Sequence, residues 1–342
     1  LLLTAAEIAV TLPALFVVRY FYVRLYPPRR MIVIYGEHSP EELISKINSR
    51  RDKYDVCATA SAYMGHEALY SKILEYEAVV LCDLPASIRN KILKFCYDQN
   101  KRTYITPKIS DIILNGTESI HLFDTPLMLS RNQGLTIEQR FVKRTMDIIF
   151  ALLAIVISSP FLLIIALAIK LYDGGPVFYK QERLTRDRET FQIIKFRSMK
   201  VDSEKQGAQL AKKDDDRITP VGRIIRTTHL DELPQIFNIL KGETSFVGPR
   251  PERQEIAEKY EEVVPEFRFR LKVKAGLTGY AQVYGKYNTT PYDKLKLDLT
   301  YIQTYSAWLD VKLMLMTFKI MFQKENTEGV DAKQTTAIKK ES

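Results

Sequence analysis

Cysteine, histidine and tryptophan are scarce in this chain, with three, four and one among 342 residues. Cys57, Cys82 and Cys96 are odd in number, unevenly spaced and set in apolar runs, which excludes a disulfide framework and reads as reduced, buried thiols. His38, His66, His121 and His229 are scattered, and no cysteine stands at zinc-site spacing from any of them, so a structural metal is not expected. Glycine is thin as well, at 14 residues, and only Gly36 follows the first strand-like run. A dinucleotide-binding turn needs several glycines there for the backbone to approach a pyrophosphate, and Glu37 would repel it. The chain also begins without Met and reads as part of a longer protein.

What the chain has in excess is positive charge, a formal +9. That favours an anionic partner such as nucleic acid, lipid headgroups or a phosphorylated substrate. No nucleic-acid motif is present, and in Glu252–Lys272 acidic residues are at least as many as basic ones, so nucleic acid is rejected. That charged segment, with Phe267, Phe269 and Leu271 interleaved, reads as an amphipathic helix on a membrane or protein surface.

Two stretches are apolar enough to meet a bilayer. Leu1–Val18 carries only Glu7 and two threonines, and is followed by Arg19, Arg24, Arg29 and Arg30 with Tyr20, Tyr22 and Tyr26 interleaved. This order predicts a transmembrane helix with a cytoplasmic exit, the alternative being a buried soluble helix. The second stretch, Phe150–Ile169, is interrupted by Ser158-Ser159-Pro160. Proline removes a backbone hydrogen bond there, and Lys143, Arg144 and Lys170 place basic charge at both ends. A re-entrant helix over about residues 141–170, broken at Ser159-Pro160, meets both conditions; a kinked spanning helix is the alternative.

Between them, apolar strands (31–36, 54–61, 78–83, 102–107) alternate with amphipathic helices (40–51, 67–76, 86–99). Such alternation predicts a parallel sheet covered on both faces, a Rossmann-like domain over residues 31–131.

The chemistry gathers in Arg226–Pro251, RTTHLDELPQIFNILKGETSFVGPRP. Asp231 and Glu232 are adjacent and point in different directions, which suits a nucleophile beside a metal ligand; a charged first helical turn is the plainer reading. Arg226 and the Pro249-Arg250-Pro251 bracket put guanidiniums near those acids, a mixture that suits phosphoryl transfer with a divalent metal. Lys195 and Arg197 alternate with apolar residues in KFRSM, which places both on one strand face, solvated or functional. Asp214-Asp215-Asp216 reads as an exposed acidic turn.

The blocks FYKQERLTRDRETFQIIKFRSM (178–199), RTTHLDELPQIFNILKGETSFVGPRP and VKAGLTGYAQVYG (273–285) together resemble the bacterial sugar transferases, the monotopic phosphoglycosyl transferases, over roughly residues 139–323. The resemblance implies that Asp231 is the nucleophile, that Glu232 holds Mg2+, and that Lys195, Arg226, Pro249, Arg250, Pro251 and Lys286 form the substrate site. It makes Arg197, Asp298 and Asp310 supporting residues and Ser159-Pro160 the break of a re-entrant helix. Departures from the family pattern are Ala275 for Pro, Lys286 for Arg, and the turn Leu184–Glu189 without glycine.

The fold class expected is therefore α/β. It comprises an N-terminal transmembrane helix (1–30, the last of a bundle), the Rossmann-like parallel-sheet domain (31–131), a mainly helical membrane-associated catalytic domain (132–323) and a polar tail (324–342). The implied activity loads a hexose-1-phosphate from a UDP-sugar onto undecaprenyl phosphate and releases UMP, at the cytoplasmic face of a bacterial inner membrane. A homodimer and downstream glycosyltransferases are the expected protein partners. A silent scaffold, or a glycosyltransferase releasing UDP, are the rival classes.

Overall fold

The computed structural model describes residues 2–130, 134–201, 217–285 and 289–321. The acidic turn at Asp214–Asp216, Lys286 and the tail from residue 322 lie outside the described residues. The chain falls into two compact units, Leu1–Lys108 and Ile109–Ser342.

The first unit opens with α1 (Leu2–Leu25), which carries Pro13 inside it. It includes the apolar stretch Ala9–Tyr22. There follow β1 (Arg29–Tyr35), α2 (Glu41–Asn48), β2 (Tyr54–Ser61), α3 (His66–Leu74), β3 (Ala78–Cys82), α4 (Ala86–Asp98) and β4 (Arg102–Ile105). The strands form one parallel sheet in the order β2-β1-β3-β4, as the alternation predicts. Successive side chains of a strand point to opposite faces, so central β1 feeds two cores. Met31 and Val33 pack under α2, whereas Ile32 and Ile34 pack under α3 and α4. One expectation is corrected here: Cys96 is buried but Cys57 is exposed. It falls where the β1–β2 register slips between Val56 and Ala58, and the extra residue of a bulge is left out of the ladder.

The second unit begins with α5 (Ile109–Asn115) and the antiparallel hairpin β5 (Glu118–Leu122) and β6 (Thr125–Leu129). Ile112 joins the core of this unit.

Then comes α6 (Ile137–Asp173), the one helix among the described residues long and apolar enough to cross a membrane. A reciprocal capping box of Thr136 and Gln139 starts it, and Gly174, in the left-handed region at φ 71°, ends it. Helical structure continues through Pro160. Lys143, Asp147, Ala151, Ser158, Ile165 and Ile169 are buried, a stripe at intervals of three to four residues or their multiples. Val156, Ile157, Leu163, Ile164 and Leu171 are exposed. One narrow face of α6 therefore packs on the unit and a broad apolar face is left open, an arrangement that water penalises.

The remaining elements are the hairpin β7 (Phe178–Leu184) and β8 (Thr190–Phe196), α7 (Pro220–Thr227), α8 (Gln235–Lys241), and β9 (Ser245–Val247) paired in parallel with β10 (Gly276–Thr278). Helices α9 (Gln254–Val263), α10 (Tyr280–Tyr284), α11 (Pro291–Gln303) and α12 (Ala307–Met321) complete the unit. Glu252–Lys272 is not one amphipathic helix. Pro265 ends α9 and starts a 3-10 segment, Pro265–Lys272, whose Phe267 and Arg270 are buried in the unit rather than offered to a surface.

Candidate active site

The acidic pair sits on neither flanking helix. Thr219 caps α7 by accepting the Gly222 N–H at 2.9 Å, and Pro220 suits the first turn. A Cβ on Gly222 would come within 1.9 Å of Ser198 O, so glycine lets α7 lie against the chain leaving β8. His229, at φ 56°, turns the chain left-handed out of α7 into a single 3-10 turn, Leu230–Glu232, ahead of α8.

That turn sends the two carboxylates to different neighbours. Glu232 Oε1 accepts Lys195 Nζ at 2.6 Å and Arg250 NH2 at 3.0 Å. Burial opposes its ionisation, but Lys195 and Arg250 outweigh that and hold its carboxyl far below the usual carboxylate range. No hydrogen bond reaches the Asp231 carboxylate from the described residues. Burial, then the charge of Glu232, push its pKa up, partly offset by Lys195, Arg226 and His229. Arg226, in the last turn of α7, thus acts on Asp231 through charge.

Lys195 is aimed by a residue the sequence reading passed over. Asn238, fully buried in α8, accepts the Ile194 N–H at 3.0 Å and donates to Gln192 O at 2.8 Å. Its side chain thereby acts as a partner strand along β8. A lone Asn in the apolar run IFNIL was the available signal, because a buried amide must find partners.

The arginine bracket is braced from several sides. Pro249 and Pro251 are buried, and Arg250 is half-exposed between them. Arg183 donates to Pro251 O and Arg270 to Arg250 O. Asp298 binds Arg270 Nε at 2.8 Å, both being buried. Upstream, Asp147 of α6 accepts the Ser245 hydroxyl at 2.9 Å and the Phe246 N–H at 3.1 Å, holding β9 where it enters the bracket.

Two sequence-predicted residues stand elsewhere. Arg197 leaves the end of β8 to pair with Asp173 at the end of α6, not with the acidic pair. Asp310 pairs with Lys143 at 2.6 Å and accepts the Tyr301 hydroxyl at 2.8 Å, joining α6 to α11 and α12. Ser159 donates to Val156 O, within α6.

Glu252, just past the bracket, pairs with Lys294 and lies 3.5 Å from Arg270. Burial works against its ionisation, yet Lys294 and Arg270 outweigh it and bring its carboxyl down to about 2 from an ordinary 4.5. A depressed carboxylate contributes stability that is present above its unfolded pKa and lost as pH falls through the folded one. Acid titration of stability is therefore expected to lose about 3 kcal/mol between pH 4.5 and 2 from this group. Glu252→Gln should remove that component, as read by the melting temperature across the same pH range.

Among the described residues, no three acidic, histidine or cysteine side chains cluster as a metal site. Glu232 Oε1 is already on two cations, so this pair offers a metal the second oxygen of Glu232 and the carboxylate of Asp231.

Fold and site together define a mixed α/β protein with one long apolar helix and a carboxylate pair braced by cations. The profile of the bacterial sugar transferase family matches residues 138–324, and the chain belongs to that family. It is 42% identical over 182 residues to the UDP-N-acetylgalactosamine-undecaprenyl-phosphate N-acetylgalactosaminephosphotransferase of Aeromonas hydrophila, covering 52% of this chain and 43% of that protein. It is 40% identical over 209 residues to the UDP-glucose:undecaprenyl-phosphate glucose-1-phosphate transferase of Escherichia coli strain K12, covering 60% and 43%. With the undecaprenyl-phosphate galactose phosphotransferase of Salmonella typhimurium it shares 34% identity over 239 residues, covering 65% and 49%. The chain thus spans less than half the length of these relatives.

Proposed function

We propose that the protein transfers a hexose-1-phosphate from a UDP-sugar to undecaprenyl phosphate and releases UMP. The observation that carries this reading is the division of labour in the acidic pair. Glu232 is paired through Oε1 with Lys195 and Arg250, while neighbouring Asp231 carries no hydrogen bond from the described residues. A carboxylate left free beside two cations is equipped to attack a phosphorus atom whose oxygens those cations neutralise.

Asp231 attacks the sugar-proximal phosphorus; the bond to the bridging oxygen breaks, and UMP leaves with the electron pair. An oxygen of undecaprenyl phosphate then attacks the phosphosugar on Asp231, forming a diphosphate bond and freeing the carboxylate. Lys195, Arg226 and Arg250 offset phosphate charge in both steps. Mg2+ held by Glu232 and the donor's diphosphate would neutralise the leaving UMP.

The apolar helix suits a lipid-bound acceptor. A straight 37-residue helix would run about 55 Å, well beyond the roughly 30 Å of a bilayer core. Polar contacts tie both of its ends into one compact unit, Lys143 and Arg144 at one end and Asp173 at the other. Leu233 borders the packing clusters of both its halves. These contacts favour a re-entrant helix turning at Ser159-Pro160, with both ends at the cytoplasmic face of a bacterial inner membrane. In the same reading α1 ends a membrane bundle, the protein works as a homodimer, and downstream glycosyltransferases extend its product.

The test is nucleotide release from a panel of UDP-sugars by nanodisc-embedded protein with undecaprenyl phosphate and Mg2+. UMP with one sugar supports the reading. UDP instead makes the protein a direct glycosyltransferase, and no nucleotide from folded, inserted protein makes it a scaffold.

A further inference from the structure

The Pro249-Arg250-Pro251 segment is poorly equipped to brace itself. Proline has no N–H, so two of the three residues offer no backbone donor, while all three carbonyl oxygens still need partners. Pro249 O accepts the Gly276 N–H at 2.9 Å. The next two oxygens are taken by guanidiniums. Arg270 NH2 donates to Arg250 O at 2.9 Å, and Arg183 NH1 donates to Pro251 O at 3.2 Å.

These arginines are themselves held. Arg270 is 3% exposed, with its Nε on Asp298 at 2.8 Å and its NH1 facing Glu252 at 3.5 Å. Arg183, on β7, places its NH2 on Gln181 Oε1 at 2.6 Å. A neutral amide would satisfy a carbonyl with less desolvation than a buried cation. What a guanidinium adds is a rigid fork that holds two partners in fixed directions at once. Each of the two uses its fork in this way, one branch anchored in the unit and the other on the bracket.

We infer that Arg183 and Arg270 are positioning residues, which clamp the carbonyls of Arg250 and Pro251 and so hold the Arg250 guanidinium on Glu232. Among the described residues neither contacts Asp231 or Glu232; both act through Arg250. The Arg250 side chain is 45% exposed and has room to swing away once its backbone is loosened. The inference rests on the reading that Arg250 serves phosphosugar transfer.

The test is a double-mutant cycle on kcat/KM for UMP release in nanodiscs, with hydrogen exchange of residues 245–256 measured on the same preparations. Arg183→Gln alone is expected to lower kcat/KM about 10- to 100-fold, the range for losing a charge-assisted hydrogen bond, with the melting temperature little changed. In an Arg250→Ala background the same substitution should lower it less than about twofold further, because the residue it positions is gone. Arg270→Gln, made together with Asp298→Asn so that Asp298 is not stranded while Glu252 keeps Lys294, should behave alike. Both variants should speed exchange at the Arg250 and Glu252 amides. Losses that multiply undiminished in the Arg250→Ala background, or exchange left unchanged, would overturn the clamp. Should the wild type release no UMP, the functional reading fails, and exchange alone then decides the clamp.

Discussion

Asp231→Asn is expected to lower UMP release roughly 10,000-fold or more, the scale on which enzymes lose activity with their nucleophile. Asparagine keeps the shape of the side chain but removes the anionic oxygen that, in the proposed mechanism, forms the bond to phosphorus. The fold should not suffer. No described residue hydrogen-bonds the Asp231 carboxylate, and burial and Glu232 both disfavour its charge, so a neutral amide sits there at no cost. Lys195 and Arg250 stay on Glu232, so donor binding should change far less than turnover. Steady-state UMP release at saturating donor, read beside the melting temperature, checks this. Activity within tenfold of wild type would remove Asp231 from the chemistry.

Lys143→Met is expected to produce the largest loss of stability, about 3–5 kcal/mol, because it strands a buried anion. The side chains of Lys143 and Asp310 are 6% and 4% exposed, and their contact at 2.6 Å joins elements 167 residues apart. Burial pushes the Asp310 pKa up even with Lys143 beside it. Without Lys143 the carboxyl must either stay charged in the core or take a proton, and either route weakens the fold. Tyr301 would be left donating to an acceptor of lower charge, and α6 would lose its tie to α12. Lys143→Met with Asp310→Leu should recover most of the loss, since removing both charges is far cheaper than removing one. Thermal unfolding of the three variants in one nanodisc preparation measures the ordering. A double variant as unstable as the single one would show that packing, not the charge, matters there.

The parts legible in the sequence were those whose signal is local. Alternating apolar strands and amphipathic helices from Met31 to Thr106 led to the parallel sheet, because side-chain period is a property of a few adjacent residues. The acidic pair and the Pro-Arg-Pro bracket stood out because their residue types are rare neighbours in so short a span. Lys195 entered the substrate site only through the resemblance, since nothing local distinguishes it from a solvated strand cation, and its contact with Glu232 had no mark in the sequence.

Pairings distant in sequence were not legible. Arg270 lies in a segment dense with charge, where its burial against Asp298 has no local mark. The same is true of Arg183, whose neighbours Gln181 and Glu182 look equally exposed by pattern. Strand alternation put Arg197 on the same face as Lys195, but β8 ends at Phe196, and past that point alternation no longer sets direction. Pro265 was the overlooked breaker in Glu252–Lys272, outweighed in the reading by the aromatic spacing on either side of it.

The most direct test of the account is a search for the covalent intermediate itself. Protein embedded in nanodiscs without undecaprenyl phosphate is incubated briefly with the UDP-sugar that gives turnover, quenched in acid, and analysed by intact and peptide mass spectrometry. The account predicts one hexose phosphate per chain on the peptide bearing Asp231, formed together with one UMP, absent from Asp231→Asn, and discharged when undecaprenyl phosphate is added. UMP release that begins only when the lipid phosphate is present, with no adduct on any peptide, would contradict it and leave direct transfer between donor and acceptor.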